Sequence, residues 1–260
     1  MLMHAEPIEP GTTARDFYVA ALRVLDDAGL DYVVGGGYAM AWYTGIRRNT
    51  KDLDIFVRPE DHRAILKKLE GAGYRTEYFY PFWIAKAIHG ADFIDILYNS
   101  GNGQCVVDDE WFTAATSAEI LGYRTRLIPP EEQLWSKIFV QDRDRYDGAD
   151  SLHLIQACGP QLDWHRLLRR LQGHERVLLS QLILFDYAFP SDRHCVPDWV
   201  MDRLLSLAAD REPSEQKVCY GTNIAQQGFL PDIRDRGYAD GRLKPYGPLR
   251  PDELAQLPEH

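Results

Sequence analysis

Apolar positions recur at helical spacing over residues 13–28, where Phe17, Ala20, Ala21, Val24 and Leu25 line one face and Gly29 supplies a stop. The pattern then shortens. Tyr32-Val33-Val34 reads as a strand running into Gly35-Gly36-Gly37, and residues 38–43 return to helix. A strand is expected over 53–57, closed by Arg58-Pro59, and an amphipathic helix over 60–69 that ends at Gly71 and Gly73. Three strand-like runs follow at 74–80, 82–88 and 93–98. After the turn Asn99-Ser100-Gly101-Asn102-Gly103 a last strand is expected at 123–128.

At Pro129-Pro130 the texture changes to helix, over 131–139, 148–157, 164–171, 175–189 and 199–209, punctuated by Gly and Pro. From Glu212 onward the chain is rich in Gly, Pro and Asp and loses periodicity. The expected architecture is an α/β (α+β) protein in three parts. A head with a short mixed β-sheet and flanking helices covers 1–128, a helical domain covers 129–211, and an irregular tail packing on the domains covers 212–260.

Composition narrows the class. With 45% apolar and 26% charged residues, the 260-residue chain has the balance of a globular protein and not of a disordered or fibrous one. The longest apolar stretch, 177–189, is interrupted by Ser180, Gln181 and Asp186 and is too short to span a bilayer, and the first residues lack a cationic segment ahead of an apolar one. A cytoplasmic protein without membrane partners is therefore expected. Cys105, Cys158, Cys195 and Cys219 form no CxxC pair and read as reduced structural thiols. The net charge of −10 disfavours a broad basic face for duplex DNA, although it leaves room for a local groove that binds RNA.

Three segments carry candidate chemistry. Val34-Gly35-Gly36-Gly37 ends a strand and opens a helix, where bare backbone N–H groups and the helix dipole favour an anion. A glycine triplet is equally what a tight strand-to-helix turn needs. Lys51-Asp52-Leu53-Asp54-Ile55 places two carboxylates on one side of a strand, because strand side chains alternate. Their mutual repulsion is relieved by a hard divalent cation such as Mg²⁺, or by solvent if the face is open. Asp92-Phe93-Ile94-Asp95-Ile96-Leu97 embeds a further acid among apolar residues, where a buried carboxylate needs a partner. Asp95 lies inside that run and Asp92 at its entrance.

Taken together, Gly36-Gly37-Tyr38-Ala39, then Arg48-Asn49-Thr50-Lys51-Asp52-Leu53-Asp54, then Asp95 resemble the signature of the DNA polymerase β-type nucleotidyltransferase superfamily. The branch most similar is that of the bacterial minimal nucleotidyltransferases and abortive-infection nucleotidyltransferase toxins. The resemblance covers roughly residues 30–155. It implies that Gly36 and Gly37 contact the triphosphate of an NTP, with Gly35 leaving the register open by one residue. It also implies that Asp52, Asp54 and Asp95 bind two Mg²⁺ ions, or Mn²⁺ in their place, and that the third acid helps activate the acceptor hydroxyl; Asp92 competes with Asp95 for this role. Arg48, or Arg47 beside it, is a candidate phosphate contact. A proline-opened helix carrying Lys137, followed by Arg143, Arg145, Asp147 and Asp150, matches the toxin branch, and Lys137 is expected to reach the nucleotide phosphates from a cleft between head and helices. Arg143, Arg145 and Asp147 also suit surface ion pairs at a helix start.

The activity so implied is transfer of NMP from an NTP to a hydroxyl on a tRNA, a protein or a small molecule, with release of pyrophosphate. A protein that binds nucleotide or a partner with the same fold but without chemistry is the alternative. A dinucleotide-binding fold is disfavoured, since GxGxxG is absent.

Overall fold

A computed structural model describes residues 12–48 and 50–242; Asn49 of the motif and the ends 1–11 and 243–260 lie outside the described residues. The described chain forms two compact units that meet in sequence at Pro129 and Pro130.

The first unit is built on α1 (Thr12–Asp27), β1 (Val33–Val34), α2 (Gly36–Thr44), β2 (Leu53–Phe56), α3 (His62–Gly71), β3 (Arg75–Tyr80), β4 (Ile84–His89) and β5 (Asp92–Leu97). It is completed by α4 (Asp109–Thr113), β6 (Thr116–Ile120) and β7 (Tyr123–Leu127). The strands form one mixed sheet in the order β3-β4-β5-β2-β1-β7-β6. β2 and β5 run parallel, as do β1 and β7, and the other neighbours are antiparallel. This is the α/β head with a mixed sheet that the hydrophobic pattern implies. Every second residue of the central strands supplies the core: Leu53 and Ile55 of β2 and Ile94 and Ile96 of β5 are at most 1% exposed. The intervening positions of the same strands are left to Asp54 and Asp95, so alternation alone separates core from chemistry.

Two elements of the head carry no clear periodic signal. α4 spans barely more than one turn and is started by the Asp108 side chain, which accepts from the Glu110 N–H at 3.0 Å. β6 is an edge strand of sequence Thr-Ser-Ala-Glu-Ile whose outward positions are polar.

The second unit holds α5 (Pro130–Ile138), α6 (Gly148–Cys158), α7 (Trp164–Arg170), α8 (Glu175–Ala188) and α9 (Asp198–Ala209). These follow the sequence pattern closely. Beyond Glu212, β8 (Val218–Cys219) pairs in parallel with β9 (Ala239–Asp240), and α10 (Gln226–Arg234) lies between them in sequence. The pairing is locked by side chains. Asp240 accepts from Thr222 Oγ1 at 2.7 Å and from Arg242 Nη2 at 2.6 Å. Burial pushes the Asp240 carboxyl up, but the hydrogen bonds from Arg242 and Thr222 outweigh it and hold the carboxyl below the usual carboxylate range. Among the described residues no helix is long and apolar enough to cross a membrane.

A buried ion cluster ties α5 to α7. Glu132 is fully buried and its Oε1 accepts from Arg166 Nη2 at 2.6 Å and Arg170 Nε at 3.0 Å. Burial drives the Glu132 carboxyl upward while the two guanidiniums pull it back, leaving a net upward shift. Removing one partner leaves a charge stranded in the interior. Arg166→Met is therefore expected to cost about 3–5 kcal/mol of stability, read as a lower denaturant midpoint at unchanged slope.

Candidate active site

The site begins where β1 gives way to α2. Gly35 stands at the N-cap of α2 and its N–H donates to the Asp54 carbonyl at 3.0 Å, which fixes the turn onto β2. Each of the three glycines faces a different neighbour. A Cβ at Gly35 would sit 2.3 Å from the Phe56 ring, and one at Gly37 would sit 3.0 Å from Thr50 Oγ1. At Gly36 it would sit 1.7 Å from Asp54 Oδ2, and the residue has φ +58, in the left-handed region. Gly35 thus packs into the core, and Gly36 abuts the Asp54 carboxylate. The first turn of α2 starts at that point and carries the positive end of the helix dipole.

Strand pairing then assembles a row of charge across the sheet. Asp54 of β2 stands opposite Asp95 of β5, Asp95 opposite Lys86 of β4, and Lys86 opposite Glu77 of β3. Side chains at directly paired positions share a face, so Glu77, Lys86, Asp95 and Asp54 form one polar line that ends at the Gly36 turn. Asp52, two residues before Asp54 and just outside β2, is half-buried and accepts from Thr50 Oγ1 at 3.2 Å. Asp92 pairs with His89 and, three residues from Asp95, falls on the alternate side of β5. Asp95 is the acid aligned with Asp54.

Two residues of this site are not evident in the sequence. Lys86 donates from Nζ to Asp95 Oδ1 at 2.7 Å, and both side chains are largely buried. Its ammonium also lies 3.8 Å from the centre of the Phe93 ring. Tyr18 of α1 is buried, and its hydroxyl donates to the Lys51 carbonyl at 3.3 Å. Burial first, and then the negative field of Asp92, Asp52, Asp54 and Asp95, push its phenol up to about 12. Burial is the larger cause, and the four carboxylates add to it. Tyr18 sits within the apolar stripe of α1, where nothing marks it as different from a core aromatic.

Of the remaining candidates, Arg47 and Arg48 are exposed in the segment between α2 and β2. Lys137 belongs to the second unit, where its Nζ donates to Asp147 at 3.0 Å and Asp150 at 2.8 Å. Among the described residues no three His, Cys, Asp or Glu side chains converge as a ready-made metal cluster. The chemistry of Asp52, Asp54 and Asp95 still fits a hard divalent ion, which takes carboxylate oxygens, and Lys86 holds one of those oxygens.

The class of head implied by the sequence is borne out by comparison with known proteins. Residues 18–102, about a third of the chain, match the family model of the aminoglycoside-2″-adenylyltransferases; the matched segment runs from α1 through β5 and contains the glycine turn and all three acids. No curated protein matches the chain. Among solved structures, a lincosamide antibiotic adenylyltransferase with bound lincomycin is 21% identical, over 55% of this chain and 96% of that one, with a TM-score of 0.39. ANT(2″)-Ia in complex with adenylyl-2″-tobramycin is 20% identical over 68% and 99%, with a TM-score of 0.41. An antigenic nucleotidyltransferase-like protein from Paracoccidioides brasiliensis is 18% identical over 71% and 94%, with a TM-score of 0.46.

Proposed function

We propose that the protein is a nucleotidyltransferase that moves the NMP of an NTP onto a hydroxyl of a small-molecule acceptor, with release of pyrophosphate. The observation that carries this reading is the register of Asp54 on Asp95 beside the Gly36 turn, within the segment that matches the adenylyltransferase model. A cationic acceptor such as an aminoglycoside suits both that match and the surplus of ten negative charges.

In this reading Asp52, Asp54 and Asp95 would hold Mg²⁺ or Mn²⁺, which would supply neutralisation of the triphosphate charge. Gly36 and Gly37 present backbone N–H groups to the triphosphate at the head of α2, and Arg48 screens its outer charge. Asp95 takes the proton of the acceptor hydroxyl while that oxygen bonds to the α-phosphorus and the bond to the pyrophosphate oxygen breaks. Chemistry is assigned to the head, residues 1–128. Lys137 enters as a phosphate partner in competition with Asp147 and Asp150. If it plays that part, Lys137→Met raises the KM for the NTP severalfold and leaves the KM for the acceptor unchanged.

A second reading, a nucleotide binder without chemistry, draws on the Lys86–Asp95 pair, which ties up one acid. Incubation with each of the four α-labelled NTPs, Mg²⁺ and a panel of aminoglycosides, total tRNA and protein separates the readings. Label in an aminoglycoside is the expected result. Label in RNA or protein overturns the acceptor assignment, and NTP binding without any label transfer favours the second reading.

A further inference from the structure

The charge row across β3, β4, β5 and β2 contains one cation. Lys86 stands directly between two acids, Asp95 on one side and Glu77 on the other, and its ammonium is placed on Asp95. The alternatives differ in environment. Asp95 is 9% exposed, whereas the side chain of Glu77 is 42% exposed and bonds to Arg75 at 3.3 Å. A buried carboxylate beside a second acid in register is costly without a counter-charge, and an exposed one is not. Phe93 and Phe79 lie under the ammonium at 3.8 and 5.1 Å, and so the lysine crosses an aromatic surface that tolerates a cation at more than one point.

Resting on the proposed metal-dependent reading, we propose that Lys86 is the built-in counter-ion of the candidate metal site. It neutralises Asp95, the acid in register with Asp54, while no metal is bound, and it passes from Asp95 towards Glu77 when a divalent cation claims the carboxylates. Lys86 is a positioning residue in this scheme. It touches neither nucleotide nor acceptor, but it sets the affinity of the acids for metal and keeps them from repelling each other before metal arrives.

The test is direct Mn²⁺ binding to the full chain without nucleotide, followed by the electron paramagnetic signal of free Mn²⁺, together with thermal melting. Lys86→Met removes the competitor and is expected to bind Mn²⁺ at least about tenfold more tightly than the wild type, since a full charge leaves a partly buried site. Lys86→Arg keeps the charge and should stay within about twofold. Glu77→Gln removes the alternative berth and should weaken binding by about two- to fivefold, the range of an exposed ion pair. Lys86→Met should also melt lower than the wild type without metal, and saturating Mn²⁺ should close that gap. A lysine with a purely structural role would leave the gap open.

Equal or weaker Mn²⁺ binding by Lys86→Met, with Asp54→Asn clearly weakened, overturns the role of Lys86 and leaves the nucleotidyltransferase reading standing. Undiminished binding by Asp54→Asn places the metal elsewhere and overturns both. Should Lys86→Met fail to fold, Glu77→Gln carries the test: weakened Mn²⁺ binding supports the role of Lys86, and binding equal to or tighter than that of the wild type overturns it.

Discussion

Asp54→Asn should lower NMP transfer by roughly 10³-fold, equivalent to about 4 kcal/mol of transition-state stabilisation, while the protein melts no lower than the wild type. The two halves of this expectation have one cause. Asp54 lies in register with Asp95 and against the Gly36 turn, so two carboxylates share a small region. Whatever repulsion Lys86 leaves between them destabilises the metal-free fold and is tolerated only for what the charges do when metal and triphosphate are bound. An amide of the same shape relieves the repulsion and keeps the packing, but it is a poor ligand for a hard ion. Loss of activity accompanied by a lower melting temperature would instead make Asp54 a structural residue.

Gly36→Ala is the second large effect. The added Cβ would lie 1.7 Å from Asp54 Oδ2, 2.5 Å from its Cγ and 2.9 Å from its Cβ, at a residue with φ +58. The conformational term alone is about 1–2 kcal/mol for an L-residue in the left-handed region. The clash adds to it, because the Asp54 side chain has to leave the line that joins it to Asp95. A total loss of roughly 3 kcal/mol or more of stability, with transfer activity at background, is expected from a denaturant titration and an activity assay of the same sample. Gly45→Ala provides the control, since a Cβ there meets nothing within 4 Å. It carries the same kind of backbone strain, with φ +71, without the collision, and should retain most of its activity.

Much of this site could be read from the chain alone, and the limits of that reading are physical. Alternation in Leu53-Asp54-Ile55 and Ile94-Asp95-Ile96 identifies both strands and shows that the acids leave the core side, because period-two patterning is a property of one strand at a time. Which strand lies beside which is a long-range fact. The place of Asp95 inside an apolar run already favours it over Asp92 in the sequence, but its alignment with Asp54 emerges only from the sheet. Lys86 illustrates the same limit. Within Ile84-Ala85-Lys86-Ala87-Ile88 it looks like one outward polar residue of an ordinary strand, and its meaning comes from Asp95 on the next strand. Tyr18 is hidden in the opposite way, since it fits the apolar stripe of α1 and only the surrounding carboxylates distinguish it. β6 and α4 were missed because an edge strand with polar outward positions and a five-residue helix carry too few periods to register. Lys137 rests on the resemblance to the toxin branch, and the two aspartates that hold it lie ten and thirteen residues further along the chain, at the start of α6.

The central claim is that the acid row performs nucleotidyl transfer and not another use of a triphosphate. Parallel reactions with α-labelled and γ-labelled ATP, Mg²⁺ and an aminoglycoside test it most directly. The account expects the α-label to appear on the aminoglycoside and the γ-label in pyrophosphate, both lost in Asp54→Asn. A γ-label on the acceptor, or α-label transfer that survives in Asp54→Asn, would contradict it.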